Sequence, residues 1–147
     1  MEHRTVYADT SFLLSHHLND EHTDRARFLI GQVSVPLRIS RLGILEYHTS
    51  LWRKVGADGF SRSHAERAIR FFERQIDEKR FVVCTIAEGI VHERAKSLAA
   101  AYSSELKVRS LDILHVACAL EMGVSEVWTF DERQKRLAAE VGLRVNA

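Results

Sequence analysis

Four acidic residues stand where an α/β protein can do chemistry. Asp9 and Asp131 each follow an apolar segment, Glu46 lies in a predicted helix, and Asp112 opens a strongly apolar one. Neighbouring carboxylates repel one another strongly in a low-dielectric site and coexist most readily around a hard divalent cation. Oxygen-only ligands with room for water favour Mg²⁺ or Mn²⁺ over Zn²⁺. The four acids therefore indicate a metal site, provided that the fold brings them together.

Each acid also has an ordinary structural interpretation, which the sequence leaves open. Asp9 and Asp131 can cap the helices that follow them. Glu46 falls about 40° from Leu42 around its helix, where it faces either a cleft or water. Asp112 gains from the helix dipole, and its side chain reaches either solvent or a positive partner, because a buried unpaired carboxylate is costly. Only the four acids taken together argue for a shared site.

Short apolar segments predict the strands of a sheet. β-Branched and aromatic residues form these segments, and the third is a continuous apolar run of the kind buried on both faces. The predicted strands are residues 5–8, 37–40, 81–84, 126–130 and 143–145. Because the carboxyl ends of parallel strands share one edge of a sheet, all four acids are expected to converge there.

Helical patterns separate the strands. Apolar periodicity, glycines and capping residues indicate their limits. A short helix carries residues 12–14, and the longer ones span about 21–32, 41–55, 63–78, 86–102, 110–123 and 131–142. The predicted N-terminal residues are Thr10 or Ser11, Asn19-Asp20, Ser40, Thr85, Ser110 and Asp131. Strands that alternate with helices predict βαβ units, a parallel sheet and an α/β sandwich.

Composition limits the class of protein. The 147 residues, 46% of them hydrophobic and 28% charged, are typical of one globular domain, and we assign residues 1–147 to it. No apolar run reaches the ~18 residues of a membrane span, and Met-Glu-His-Arg at the start does not resemble a signal peptide. Cys84 and Cys118 lie in apolar surroundings, which indicates core thiols in a reducing compartment, so we expect a cytoplasmic protein.

The net charge of +1 does not by itself select a partner. If four carboxylates are set aside for a metal site, the rest of the chain carries +5. That surplus would help to steer a polyanion towards the site.

The motifs around the four acids resemble those of the PIN-domain ribonucleases, and most closely the VapC-type toxins of toxin–antitoxin pairs. The likeness runs in order over nearly the whole chain. It is carried by Asp9-Thr10-Ser11, by Glu46 in the helix after the second strand, by the segment 112–117 (Asp-Ile-Leu-His-Val-Ala) and by Thr129-Phe130-Asp131.

This resemblance implies a PIN-like α/β/α sandwich with a short central parallel sheet of four to five strands, flanked by about seven helices. It implies an endoribonuclease that depends on Mg²⁺, or on Mn²⁺ in its place. Metal-activated water would attack phosphorus in line and leave 5′-phosphate and 3′-hydroxyl ends. A homodimer and a cognate antitoxin are the expected partners. The implied site comprises the acids Asp9, Glu46, Asp112 and Asp131, with hydroxyls of Thr10, Ser11 or Thr129 ordering water or a carboxylate.

Positive side chains beside Asp131 are candidates for phosphate contacts. Arg133, Lys135 and Arg136 would border the cleft. By contrast, the arginines at 67, 70 and 74 have glutamates within one helical turn, which predicts a solvated, ion-paired face.

Histidines show no zinc-binding spacing. His16 and His17 are predicted to lie on the surface. His115 comes one turn after Asp112, where contact with the site and a purely structural role are both open.

Two other functions compete with the nuclease. A haloacid-dehalogenase-like phosphatase would use Asp9 as a nucleophile, but Ser11 stands where that class carries a second aspartate. A degenerate PIN fold would only bind RNA or assemble with partners, although the presence of all four acids argues against it. No Gly-x-Gly-x-x-Gly follows the first strand, which disfavours a dinucleotide-binding domain.

Overall fold

The computed structural model describes residues 4–146, which form five strands and seven helices. Residues 1–3, on which the signal-peptide expectation partly rests, lie outside this range. The strands are β1 (Val6–Ala8), β2 (Leu37–Ile39), β3 (Phe81–Val83), β4 (Glu126–Trp128) and β5 (Arg144–Val145). The helices are α1 (Thr10–His17), α2 (Thr23–Gly31), α3 (Arg41–Lys54), α4 (Arg62–Asp77), α5 (Glu88–Leu106), α6 (Ser110–Glu121) and α7 (Glu132–Glu140).

The five strands pair in parallel in the order β3-β2-β1-β4-β5. Tyr7 in the central strand is opposite Arg38 of β2 on one side and Val127 of β4 on the other. The chain moves outward from β1 to β3 and then crosses to β4 on the other side of β1. Such a reversal opens a crevice at the carboxyl ends of the two strands that flank it, here β1 and β4.

Alternation along β1 divides the core into two layers. Val6 and Ala8 belong to the cluster of apolar residues packed with α1–α4, whereas Tyr7 belongs to the cluster formed with α5–α7. β4 repeats the division, with Trp128 in the first cluster and Val127 in the second. Helices therefore cover both faces of the sheet, and the predicted α/β/α sandwich is confirmed.

Side-chain caps start three of the helices that border the sheet edge. Ser40 accepts a hydrogen bond from the backbone N–H of Gly43, as predicted. Asp131 accepts from the N–H groups of Arg133 and Gln134, also as predicted. For α1, however, the prediction of Thr10 or Ser11 is wrong.

Asp9 is the N-cap of α1, because its Oδ1 accepts from the N–H of Phe12 at 2.9 Å. The hydroxyls of Thr10 and Ser11 instead bond to side chains of the candidate site. A capping role for Asp9 and a role in the site are thus compatible.

Two other helices start later than predicted. α2 begins at Thr23, because residues 20–22 form a turn in which Oδ1 of Asp20 accepts from the N–H of His22. α5 begins at Glu88 and not after Thr85. Cys84 still pairs with the neighbouring strand through its N–H, which keeps the backbone extended beyond β3.

The prediction that both faces of the third strand are buried is wrong. β3 lies at an edge of the sheet, with Phe81 in the core and Val82 37% exposed. The apolar run identified a strand correctly but carried no information about its position in the sheet. Among the described helices, none combines the length and the apolar character that crossing a membrane requires.

Two surface predictions also need correction. His16 and His17 are largely covered by Phe71 and Phe81, because the end of α1 packs on α4 and β3. The predicted ion pairs along α4 are absent from the described part of the chain. One of its arginines, Arg74, lies over the Phe71 ring instead.

Candidate active site

Asp9 is the buried centre of the site. It follows β1 directly, and only 3% of the residue is exposed. Its Oδ1 accepts from the Ser11 hydroxyl at 2.7 Å and from the Phe12 N–H, while its Oδ2 accepts from the Thr129 hydroxyl at 2.6 Å. These donors fix the carboxylate in one orientation at the crevice between β1 and β4.

Thr129 connects Asp9 with the loop that carries Asp131. Its hydroxyl oxygen accepts the backbone N–H of Asp131 at 3.0 Å and donates its own hydrogen to Asp9. Ser11 acts in the same way from the first turn of α1, since it donates to Asp9 and accepts from the N–H of Phe130 at 2.9 Å. The two hydroxyls therefore join the ends of β1 and β4 into one polar cluster.

Burial raises the pKa of Asp9 above its ordinary value. The neighbouring His115 and the hydrogen bonds from Thr129, Phe12 and Ser11 lower the pKa of Asp9 but do not cancel that rise. The folded chain thus holds a carboxylate whose charge is not fully compensated by its neighbours. A cation in the crevice would supply the missing compensation.

Glu46 reaches the site from the second turn of α3. Its Oε1 accepts from the Thr10 hydroxyl at 3.0 Å and also contacts Nε2 of His115. Burial raises the pKa of Glu46, but the hydrogen bond and charge of His115, together with Thr10, outweigh it and bring the pKa below its usual value. Glu46 therefore faces the site as a carboxylate and does not point to bulk water.

His115 is held from behind by a chain of buried hydroxyls. Its Nδ1 lies 2.6 Å from the Tyr7 hydroxyl, which lies 2.8 Å from the Ser40 hydroxyl. Tyr7 is fully buried, and the exposed fraction of His115 is 3%. The question that the sequence left open is answered by this geometry: His115 contacts a candidate site residue.

Asp112 stands at the start of α6, one turn before His115, with 9% exposure. Its Oδ2 accepts the backbone N–H of Arg109 at 3.0 Å and so closes the first turn of the helix. Among the described residues, Oδ1 of Asp112 receives no hydrogen bond. One oxygen of this buried carboxylate is therefore available to another partner.

Three residues of the site were missed by sequence reasoning. Tyr7 and Ser40 support His115, and Asn146 braces Thr129 by accepting its N–H at 2.8 Å and donating to its carbonyl at 2.6 Å. In the sequence, Tyr7 shows only the strand propensity of its segment. Ser40 shows only the pattern of a helix cap, and neither pattern indicates a contact with His115. Asn146 has a φ of 50°, a conformation that asparagine tolerates better than most residues, but its contact spans the whole of α7.

The three candidate phosphate-binding residues lie on the first two turns of α7. Asp131 caps α7 by accepting the backbone N–H of Arg133. This hydrogen bond places Arg133 beside the polar cluster at the ends of β1 and β4. Lys135 pairs with Glu132 at 3.2 Å, and Arg136 is exposed. Their position next to Asp131 is as predicted, and their contact with phosphate stays a prediction.

A family model described as the PIN domain matches residues 6–140. The chain belongs to the PIN domain family. The predicted resemblance is thereby confirmed, and the haloacid-dehalogenase-like phosphatase is the wrong alternative. Membership in this family supports a nuclease role for the protein.

Solved structures share the PIN fold of this chain at low sequence identity. VapC20 of Mycobacterium tuberculosis, described as a sarcin–ricin loop cleaving toxin, is 17% identical with a TM-score of 0.72, over 96% of this chain and 98% of that one. FitAcB of Neisseria gonorrhoeae is 12% identical with a TM-score of 0.61, over 96% of each chain. PAE2754 of Pyrobaculum aerophilum is 17% identical with a TM-score of 0.59, over 97% and 90%. No curated protein sequence matches the chain significantly.

PIN nucleases generally use divalent metals, and the donor set here suits a hard, hydrated cation. The predicted close cage of four acids is not formed: within residues 4–146, no three His, Cys, Asp or Glu side chains are grouped to hold an ion. Three of the acids instead contact separate partners. Glu46 contacts Nε2 of His115, Asp112 accepts the N–H of Arg109, and Asp131 caps α7. Mg²⁺ usually keeps several waters and takes one or two carboxylates from the protein, so the buried Asp9 carboxylate, whose charge is not fully compensated, suits such an ion without a cluster of three acids.

Proposed function

We propose that this PIN-domain protein is a metal-dependent endoribonuclease. The observation that carries the proposal is the bridge from Asp9 through Thr129 to Asp131, at the crevice between β1 and β4. A buried carboxylate whose charge lacks full compensation, next to solvent-accessible acids, suits the binding of a cation and a phosphodiester. Family membership favours RNA hydrolysis over other uses of the same arrangement.

In this proposal Asp9 and Asp112 hold the ion, which is Mg²⁺ or, in its place, Mn²⁺. Glu46 and Asp131 orient water or help to hold a second ion. When bound, such an ion lowers the pKa of water and stabilises the charge that develops on the leaving 3′-oxygen. Thr129 and Ser11 keep the Asp9 carboxylate aimed at the crevice. The products are a 5′-phosphate and a 3′-hydroxyl.

We further propose that the protein is the toxin of a toxin–antitoxin pair. The motifs that resemble VapC-type toxins and the similarity in fold to VapC20 support this. The partners would be an RNA substrate, a cognate antitoxin that blocks the crevice, and a second copy of the chain. Large apolar side chains exposed on α3, α5 and α6, those of Leu45, Ile90 and Leu111, offer surface for such contacts.

The test is cleavage of a structured RNA labelled at one end, with and without Mg²⁺. We expect cleavage that stops on addition of EDTA, and fragments that a 5′-phosphate-dependent exonuclease degrades. Asp9→Asn should abolish it, while Asp77→Asn, an exposed aspartate at the end of α4, should not.

Metal-independent cleavage, or full activity of Asp9→Asn, would refute the proposal. RNA binding without cleavage at any divalent metal concentration would favour the degenerate PIN module instead. Light scattering during size exclusion tests the dimer, and co-purification with the product of an adjacent short reading frame tests the antitoxin.

A further inference from the structure

Four side chains form a continuous hydrogen-bonded chain from the centre of the sheet to the candidate site. The Ser40 hydroxyl meets the Tyr7 hydroxyl at 2.8 Å, Tyr7 meets Nδ1 of His115 at 2.6 Å, and Nε2 of His115 meets Oε1 of Glu46. Tyr7 and His115 are buried, and Ser40 is 4% exposed. The chain begins at Ser40, which directly follows β2, and at Tyr7 in the central strand β1.

Hydrogen-bond chemistry fixes the direction of the last link. A carboxylate only accepts hydrogen bonds, so Nε2 of His115 carries the hydrogen in either protonation state of the ring. Oε1 of Glu46 therefore accepts from both His115 and Thr10. Within the described residues, Oε2 of Glu46 receives no donor.

We propose that Tyr7 and His115 are positioning residues that anchor Oε1 of Glu46 and thereby present Oε2 to the reacting water or ion. The inference rests on the proposed nuclease function and assigns a task to residues that the function did not include. Glu46 itself is partly buried on α3, with a quarter of its side chain open to solvent. Without the anchor, its flexible side chain would sample several rotamers and spend less time in the productive one.

Tyr7 is the residue that separates positioning from general stability. Its ring belongs to the core and lies tilted against the His115 ring, with 5.8 Å between the centroids, while its hydroxyl bonds to both His115 and Ser40. Tyr7→Phe removes that hydroxyl and keeps the ring. Tyr47→Phe is a matched control, because Tyr47 is also fully buried and its hydroxyl bonds to His17 and to the Ala68 carbonyl, outside the chain to Glu46.

We expect Tyr7→Phe to lower kcat by about tenfold or more, the usual effect of removing a group that orients a site residue, with little change in KM. Tyr47→Phe should cost similar stability and leave kcat unchanged. His115→Gln should retain more activity than His115→Ala, because an amide can still donate to Glu46. Equal kcat losses in the two phenylalanine variants would overturn the proposal.

A double-mutant cycle tests whether the effect passes through Glu46. In a Glu46→Gln background, Tyr7→Phe should cause no further loss of kcat, because the anchored carboxylate is already gone. Additive losses would show that Tyr7 acts by some other route and would overturn the proposal.

Nuclear magnetic resonance of the metal-free protein provides a readout that needs no activity. We expect a protected, slowly exchanging Nε2–H resonance for His115 in the wild type and in Tyr47→Phe, and faster exchange in Tyr7→Phe. Unchanged exchange in Tyr7→Phe would overturn the proposed anchor. If the wild type cleaves no RNA, the proposed function fails, whereas this measurement still decides whether Tyr7 and His115 hold Glu46.

Discussion

Thr129 donates a 2.6 Å hydrogen bond to Asp9 although the two residues are 120 positions apart in the chain. The bond joins the carboxyl ends of two adjacent parallel strands at the point where the strand order reverses. It orients a carboxylate that burial would otherwise leave poorly compensated. The geometry of the site thus depends on a neutral hydroxyl as much as on the acids.

Thr129→Val should therefore impair the site while preserving the shape of the side chain. Asp9 loses one donor and the N–H of Asp131 loses its acceptor, so we expect a stability loss of roughly 1–3 kcal/mol. RNA cleavage should fall at least about tenfold, as is usual when an orienting partner is removed. Urea unfolding and single-turnover cleavage measure the two effects.

Thr49→Val is the control for this change, because the exposed Thr49 hydroxyl bonds only to a carbonyl of its own helix. It should leave both quantities nearly unchanged. If Thr129→Val cleaves RNA as fast as the wild type, Thr129 does not orient Asp9 for catalysis.

Asp9→Asn should separate stability from activity. Burial raises the pKa of Asp9 in the folded chain, so its favourable contribution is present below the unfolded pKa of about 4 and is lost as pH rises through the folded pKa. At pH 7 the asparagine variant carries no buried charge at position 9. Its free energy of unfolding should therefore be at least as large as that of the metal-free wild type. Near pH 4 the difference should shrink.

Thermal unfolding with and without Mn²⁺ completes this test. The ion should raise the Tm of the wild type by mass action, and should raise that of Asp9→Asn much less. A large loss of stability in metal-free Asp9→Asn at pH 7 would contradict the electrostatic account of the site.

The sequence allowed the places of Asp9 and Asp131 to be predicted, because the carboxyl ends of parallel strands necessarily share an edge. It could not show that β4 pairs with β1, since strands of three residues carry too little pattern to specify their neighbours. The same limit explains why Val82 was assigned to a fully buried strand. Position within a sheet is decided by packing between helices and not by the strand alone.

Local capping chemistry was also ambiguous in the sequence. Asp9, Thr10 and Ser11 are three consecutive residues that can each cap a helix, and tertiary contacts selected Asp9. In the sequence, His115 is a polar residue within a mostly apolar helix. Its partners Glu46 and Tyr7 lie 69 and 108 positions away in the chain. Its place beside Glu46 follows only from the assembled fold.

Arg133 and Arg136 should contribute to RNA affinity through phosphate contacts. In an Asp9→Asn background, which prevents cleavage, each change to Ala should weaken RNA binding. Each should also reduce the slope of log affinity against log salt by about 0.7, the value for one phosphate contact with a single strand.

The control variants are Arg67→Ala and Arg70→Ala on α4. They remove the same charge from positions that are far from Asp131 in the sequence. These variants should keep the wild-type salt slope. Equal reductions of the salt slope in the α7 and α4 variants would mean that RNA is attracted by the overall charge and does not bind along α7.

The histidine pair at the end of α1 should make the fold sensitive to acid. Burial lowers the pKa of His16 from 6.5 to about 3 and that of His17 to about 4, with the charge of the neighbouring histidine adding to the fall for His16. The unfolded chain takes up protons below pH 6.5 and the folded chain does not. Stability should therefore fall as pH drops from 6.5 towards 4, by at most about 1.4 kcal/mol per pH unit for each histidine.

His16→Leu should flatten that dependence, because Nδ1 of His16 is buried without a partner among the described residues and the ring already packs against Phe71 and Phe81. His92→Gln, on the exposed face of α5, should leave it unchanged. Urea midpoints measured between pH 7.5 and about 4.5 compare the three proteins. Parallel curves for the wild type and His16→Leu would show that His16 is protonated in the folded chain, and that its burial does not hold it neutral.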